Sequence, residues 1–135
     1  MKPKTKEEIL LYNIKCILEN SIIEYENEHG NFERWINPDD VMEEIKQEIN
    51  ENKKPGIGKI FQNTSRKIVT ESFKVSGNPS WNPEERIQIY KIGSTSGPES
   101  KYGFHVFNLD KNNYYYETSF VTQIFMLNNY FTEIS

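Results

Sequence analysis

The chain has 135 residues, which suits one domain with a single hydrophobic core and is short for two. Its hydrophobic content is 36% and its aromatic content is 13%, so large rings must supply much of the core. The single cysteine excludes an internal disulfide. The lack of a membrane-length apolar run or a signal-peptide pattern predicts a cytoplasmic protein without a membrane partner.

Charge is distributed unevenly along the chain, although the net formal charge is only −4. Residues 1–52 hold six basic and thirteen acidic residues, a net of −7. Residues 53–91 hold eight basic and three acidic residues, a net of +5, and residues 92–135 hold two and four, a net of −2. The basic middle segment indicates a local electrostatic footprint, not a uniformly basic surface.

The first predicted element is a helix that begins after a capping box, with Thr5 as N-cap and Glu8 at its third position. Apolar residues at helical spacing predict that the helix continues to near Glu28, and Gly30 can end it. The alternating stretch NFERWI then predicts a short strand that places Trp35 in the core.

A second helix is predicted at NPDDVMEEIKQEINE, residues 37–51. Asn37 is the expected N-cap, Pro38 suits the first helical position, and two aspartates follow where the helix dipole favours acids. The predicted buried face consists of Val41, Ile45 and Ile49, with Met42 beside them.

A third helix is predicted at PGIGKIFQNTSRKIV, residues 55–69. One face carries an apolar stripe at offsets typical of a helix: Ile57, Ile60, Phe61, Thr64 and Ile68. The other face presents Lys59, Gln62, Asn63, Arg66 and Thr70, with no acid before Glu71. The other helix candidates cover their solvent faces with Glu and Lys, so this face differs in its chemistry.

The rest of the chain is predicted to be mainly strands and loops. Two Asn-Pro pairs mark a loop at 76–85, and the flanking strands at 69–75 and 86–92 are expected to pair antiparallel. Further predicted elements are strands at 102–108 and 114–117 and a helix at 118–131, whose Thr, Val, Ile and Phe would also suit a strand.

The order of elements in residues 5–92 resembles that of the winged helix–turn–helix superfamily. This resemblance implies an α+β fold with a small antiparallel sheet, a recognition helix at 57–70 and a wing at Ser76–Glu85. Residues 93–135 would then form an aromatic, β-rich extension that ends in a helix, with the whole chain as one domain. Two features depart from the minimal pattern: the acidic Glu84 and Glu85 in the wing, which would repel phosphates, and the extension itself.

The resemblance assigns the candidate site residues. The expected base contacts are Lys59, Gln62, Asn63, Arg66 and Thr70, whose side chains suit the base edges of the major groove. The expected phosphate contacts are Lys53, Lys54, Lys67 and Lys74, and the wing would contribute Asn78, Ser80 and Trp81. Trp81 has an alternative role as a loop anchor folded back onto the domain, and its large apolar ring favours that role.

Residues suited to catalysis are few. His29 is expected at a helix end, where the dipole favours a cation, and His105 is expected to be a hydrogen-bonded residue of a strand. Cys16 lies near the apolar stripe of the first helix, and two distant histidines with one cysteine do not make a zinc site. The sequence therefore predicts no enzymatic activity, cofactor or metal.

Two functions of different class remain. The first is double-stranded DNA binding through 57–70, for transcription regulation or DNA-site recognition in a microbial, phage or mobile-element context. Residues 93–135 would support homodimerisation or bind a protein partner or effector. The alternative is a protein-binding inhibitor or adaptor of mobile-element type, which docks through its acidic N-terminal face and exposed aromatics. A third possibility is the DNA-reading domain of a restriction system.

Overall fold

The fold is mixed α+β with antiparallel sheets, which confirms the predicted class. The structure is a computed structural model, and it describes residues 2–70, 80–92, 104–111, 115–117 and 129–134. The chain divides into two compact units, Lys6–Lys54 and the combination of Met1–Thr5 with Pro55–Ser135, which we call the helical unit and the sheet unit.

The helical unit contains two helices with a β-hairpin between them. The elements are α1 (Lys6–Asn20), β1 (Ile23–Glu26), β2 (Phe32–Trp35) and α2 (Pro38–Asn52). Helix α2 begins where the sequence predicts, because the Asn37 side chain accepts hydrogen bonds from the backbone N–H groups of Asp39 and Asp40 at 3.1 and 3.4 Å.

Helix α1 is shorter than predicted, and the predicted extension to Glu28 is wrong. The Ser21 hydroxyl donates to the Ile17 carbonyl at 2.6 Å, and the chain then enters strand β1. Gly30 closes the β1–β2 turn with a φ of 79°, a left-handed conformation that glycine adopts without a steric penalty. The Asn27 side chain accepts from the backbone N–H groups of His29 and Asn31, both at 3.0 Å, so His29 lies in this turn.

The two helices contact each other through a core that is partly polar. Ile9, Asn13, Val41 and Glu48 are buried, and Asn13 Nδ2 donates to Glu48 Oε1 at 2.7 Å. The predicted buried face of α2 is therefore only partly right: Val41 is buried and Ile45 half-buried, whereas Met42 and Ile49 are exposed. A carboxylate occupies the buried position because the neighbouring helix supplies it with a hydrogen-bond donor.

The sheet unit is built on a five-stranded antiparallel sheet. Its strands are β3 (Ile60–Asn63), β6 (Arg86–Ile92), β7 (Phe104–Asn108), β8 (Tyr115–Glu117) and β9 (Phe131–Glu133), in the spatial order β8-β7-β6-β3-β9. A separate short pair joins β4 (Val69–Thr70) to β5 (Ser80–Trp81). The alternating stretch at 86–92 is thus a strand, as predicted, and lies in the centre of the sheet.

Aromatic rings supply much of the core of the sheet unit, as the composition indicates. Tyr90 and Phe107 stack with their ring centroids 4.3 Å apart. Trp81 and Phe131 meet edge to face at 6.1 Å, and both are buried. The N-terminal segment joins this unit, because the Lys4 backbone N–H donates to Gln88 Oε1 at 2.8 Å and Gln88 Nε2 donates to the Lys4 carbonyl at 2.7 Å.

The predicted third helix at 57–70 is wrong. Its residues form strand β3, a turn and strand β4. The Ile60 and Phe61 backbone pairs with Gln88 and Ile87 of β6, and β9 lies on the other side of β3. Gly58 precedes the strand with a φ of 88°, which breaks a helical path. Asn, Thr and Ser at 63–65 prefer turns to helix interiors because their side chains bond to the nearby backbone.

The predicted strand pairing is wrong as well. Strand β6 pairs with β3 and β7, whereas the described part of the predicted 69–75 strand pairs with β5. Residues 118–128 of the predicted C-terminal helix lie outside the described residues, and Phe131 belongs to strand β9. The described parts of 93–135 supply three strands of the sheet, β7, β8 and β9.

An ion pair joins β6 to the end of β7, and its contribution to stability should depend on pH. Arg86 Nη2 lies 2.8 Å from Asp110 Oδ1, and the Arg86 backbone N–H donates to Asp110 Oδ2 at 2.7 Å. The hydrogen bond from the Arg86 side chain lowers the pKa of Asp110. Because the folded state holds the lower pKa, this contribution is present above the unfolded-state pKa of about 3.9 and is lost as pH falls through the folded value.

We expect Asp110→Asn to lower the free energy of unfolding by about 1 kcal/mol at pH 7, and to lose less stability than the parent between pH 5 and pH 2. Urea unfolding across that pH range measures both effects. Glu19→Gln is the matched control, since it removes an exposed i,i+4 pair with Lys15 that should contribute almost nothing. Equal acid sensitivity in Asp110→Asn and the parent would contradict the prediction.

Candidate functional site

The five predicted base contacts do not share a face of a helix. Lys59 precedes β3 and lies 3.5 Å from Glu133, and Gln62 donates from Nε2 to the Glu84 carbonyl at 3.0 Å. Thr70 is in strand β4. Arg66 lies exposed in the turn after β3. The structure therefore brings together Gln62, Asn63 and Arg66 around one turn, in a geometry unlike that of a recognition helix.

Asn63 is fully buried, so the predicted base contact at this residue is wrong. Its Nδ2 donates to three backbone carbonyls, those of Lys67 at 2.8 Å, Trp81 at 3.1 Å and Asn82 at 3.2 Å. Its Oδ1 accepts from the Ser65 backbone N–H at 3.1 Å and from the Ser65 hydroxyl at 2.7 Å. The side chain is thus a structural crosslink between the end of β3 and the chain around β5.

The remaining predicted DNA contacts are dispersed. Lys53 and Lys54 lie in the helical unit at the end of α2, where Lys54 Nζ is 2.6 Å from Glu51 Oε2. Lys67 is exposed in the turn after β3. Trp81 is only 1% exposed, so its predicted wing contact is wrong. Its ring does fold back onto the domain, against Phe131, as in the alternative role, but from strand β5 and not from a loop. Ser80 precedes it in β5, and Lys74 and Asn78 lie outside the described residues.

The helical unit exposes a different surface, the β1–β2 hairpin. Ile23 pairs across the strands with Trp35, and Tyr25 pairs with Glu33. Cross-strand partners and alternate residues share a side, so these four side chains lie on one side of the hairpin. We call this side the hairpin face. Ile23 is 52% exposed, Tyr25 45% and Trp35 49%, which makes the predicted core position of Trp35 wrong.

Hydrogen bonds fix the polar part of the hairpin face. The Tyr25 hydroxyl donates to Glu33 Oε2 at 2.6 Å, and Asn27 Nδ2 donates to Glu33 Oε1 at 2.8 Å. The hydrogen bond from Tyr25, and then that from Asn27, lowers the pKa of Glu33. The bond to Glu33 also raises the pKa of Tyr25. Because its own pKa is lowered, the Glu33 carboxylate stays charged beside the exposed rings at neutral pH.

The surroundings of the hairpin are acidic. Glu24, Glu26, Glu28 and Glu33 are all exposed on the strands and turn, against the single cation Arg34. Arg34 Nε lies 3.0 Å from Glu24 Oε1 on the side opposite the hairpin face. The whole helical unit holds six basic and thirteen acidic residues, a net of −7. Exposed rings within a negative field are suited to cationic and apolar groups.

Sequence reasoning assigned the first half of this hairpin to the helix before it. The signal that could have found it is the alternation in IEYE at 23–26 and FERW at 32–35, around a turn that contains Asn27 and Gly30. The apolar spacing of Ile22 and Tyr25 also fits the preceding helix, and this coincidence concealed the strand.

The other candidate residues form no site with one another. His105 is buried on β7, edge to face with Tyr90 at 5.8 Å, and Cys16 is half-buried on α1. Across the described ranges, no three His, Cys, Asp or Glu side chains converge in a way that could hold a metal ion. No helix in these ranges has the length and apolar composition needed to cross a bilayer.

Comparisons with known protein families, curated proteins and solved structures find no match to this chain.

The Asn63 crosslink generates a stability prediction. Asn63→Ala removes the donor of one buried and two part-buried hydrogen bonds, and an unsatisfied buried group costs about 1–3 kcal/mol, so we expect a loss of about 2–3 kcal/mol in the free energy of unfolding. Chemical denaturation measures the loss. Gln62→Ala is the control, because it removes one hydrogen bond from a half-buried neighbour and should cost about 1 kcal/mol. Similar costs for the two variants would refute the crosslinking role.

Proposed function

We propose that the chain is a protein-binding module, an adaptor or inhibitor, that docks a basic partner with apolar side chains on the hairpin face. The observation that carries this proposal is the exposure of Ile23, Tyr25 and Trp35 together on one side of a two-stranded sheet. Large apolar side chains grouped at a surface are typical of protein interfaces, and Trp and Tyr dominate the binding energy of many of them.

The charge of the helical unit supports a basic partner. With a net of −7, this unit attracts cations during encounter and repels acidic surfaces. A lysine or arginine of the partner would lie over the Trp35 or Tyr25 ring and pair with Glu33, which already holds a fixed position. An aliphatic or aromatic neighbour in the partner would cover Ile23.

The rigidity of the hairpin supports the same proposal. Four cross-strand residue pairs and the Asn27 side-chain bonds in the turn hold the hairpin backbone in place before binding, and the bond to Glu33 holds the Tyr25 side chain. A preorganised surface loses less conformational entropy on association than a flexible one.

Selection from a displayed random-peptide library against the immobilised full chain tests the proposal. We expect the enriched peptides to carry Lys or Arg next to aliphatic or aromatic residues. Trp35→Ala should weaken binding of a purified enriched peptide at least about tenfold, or about 1.4 kcal/mol, since it removes the largest ring of the face.

Ile68→Ala is the matched control, because Ile68 is 65% exposed and belongs to the sheet unit. It should leave peptide affinity unchanged. Circular dichroism of each variant verifies that the fold is retained. Enrichment without basic residues, or equal weakening by Trp35→Ala and Ile68→Ala, would exclude the hairpin face as the docking surface.

Double-stranded DNA binding is the untested alternative function, and it has its own test. Arg66 and Lys67 remain exposed and basic, but they lie in a turn and not on a recognition helix. We expect fluorescence anisotropy with random duplex DNA to show no binding at physiological salt, because the described turn offers only two adjacent cations, Arg66 and Lys67, to phosphates. Binding that weakens steeply with salt and is reduced by Arg66→Ala would instead favour the DNA function.

A further inference from the structure

A second surface, in the sheet unit, has the chemistry of a small-molecule site. An open depression of about 250 Å³ is lined by Gln62, Asn63, Thr64, Arg66, Pro83 and Glu84. This volume is below the roughly 300–1,000 Å³ typical of sites for drug-sized ligands. The depression therefore suits a ligand of few atoms, bound through the polar groups around it.

The walls of the depression are held rigidly. The Glu84 backbone N–H donates to the Asn63 carbonyl at 2.8 Å, and the Asn63 backbone N–H donates to the Glu85 carbonyl at 2.9 Å. The buried Asn63 side chain fixes the turn on one wall to the chain around Asn82 on the other. The Thr64 hydroxyl is hydrogen-bonded to that of Thr132 at 2.7 Å.

Two opposite charges line this depression without neutralising each other. Within the described part of the chain, neither the Arg66 guanidinium nor the Glu84 carboxylate has a hydrogen-bond or ion-pair partner. Other charged residues of the same unit do pair, as Lys111 does with Glu85 at 3.6 Å. An unpaired cation and anion beside one depression are complementary to a ligand that carries both charges.

The backbone at these two residues supports a functional role for their side chains. Arg66 has a φ of 63° and Glu84 a φ of 69°, and among the described residues they are the two non-glycine positions with positive φ. Glycine would adopt this conformation without the steric cost that a Cβ imposes. Strained non-glycine residues on one depression are typical of binding sites.

We propose that this depression binds a small zwitterion of the α-amino-acid type, with its carboxylate on Arg66 and its ammonium on Glu84. The guanidinium fork of Arg66 can donate two parallel hydrogen bonds to a carboxylate. Gln62 commits its Nε2 to the Glu84 carbonyl, which leaves its Oε1 as a second acceptor for the ammonium. The site does not depend on the proposed protein-binding function.

Chemical-shift titration of the ¹⁵N-labelled full chain with each of the common amino acids tests the proposal. We expect saturable shifts at the amides of Gln62, Thr64 and Arg66, with a Kd of about 1 mM or tighter for at least one amino acid. The N-acetyl derivative lacks the ammonium and the amide derivative lacks the carboxylate, so each should bind at least about tenfold more weakly. No saturable shift, or equal binding of these derivatives, would overturn the proposal.

Variants locate the site. Arg66→Gln and Glu84→Gln should each weaken binding at least about tenfold, whereas Lys67→Gln, the exposed neighbour that does not line the depression, should not. Arg66→Gly and Glu84→Gly should abolish binding while keeping or raising the Tm, because glycine relieves the strain. Unchanged amino-acid affinity in both glycine variants would overturn the proposal.

Discussion

The sheet unit depends on one buried amide. Asn63 ends the strand that lies between β6 and β9, and its side chain bonds to backbone on both sides of the following turn. The same Nδ2 reaches the Trp81 carbonyl and so helps fix the indole against Phe131. A single side-chain amide, with its NH₂ group donating and its oxygen accepting, thereby connects the sheet, the turn and the aromatic core, and no apolar residue of similar size could replace it.

Prediction from the sequence succeeded where the signals are local, and it failed around Asn63, where the structure depends on distant segments. Helix α2 was predictable because its start signals are local, and β6 was predictable because its alternation is long and regular. Residues 57–70 have an apolar spacing that also fits a helix. They form strand β3 because this segment pairs with β6 and β9, which lie far along the chain. The hydrogen bonds of Asn63 need a strand that ends at this residue and a turn that follows it. The sequence does not show this, because some of the bonded carbonyls lie far along the chain.

The hairpin face was hidden for a different reason. Its strands are short, and Ile22 and Tyr25 also continue the pattern of α1, so the local sequence supports two structures. Trp35 is exposed because no element among the described residues packs over its side of the hairpin. The sequence of the strand alone does not show this, because it depends on the tertiary structure. Composition did indicate the acidity of this part of the chain, because net charge does not depend on the fold.

Exposure of the hairpin face has an energetic consequence that connects the fold to the proposed function. Full burial of a large apolar side chain contributes roughly 1.5–3 kcal/mol, and Ile23 and Trp35 realise only part of this while about half of each remains in water. The helical unit instead gains stability from buried Ile9 and Val41 and from the Asn13–Glu48 hydrogen bond. Because folding leaves this apolar area uncovered, a partner that covers it gains the remaining transfer free energy without disrupting the core. The fixed Glu33 carboxylate then favours the partners that bring a cation to the same place.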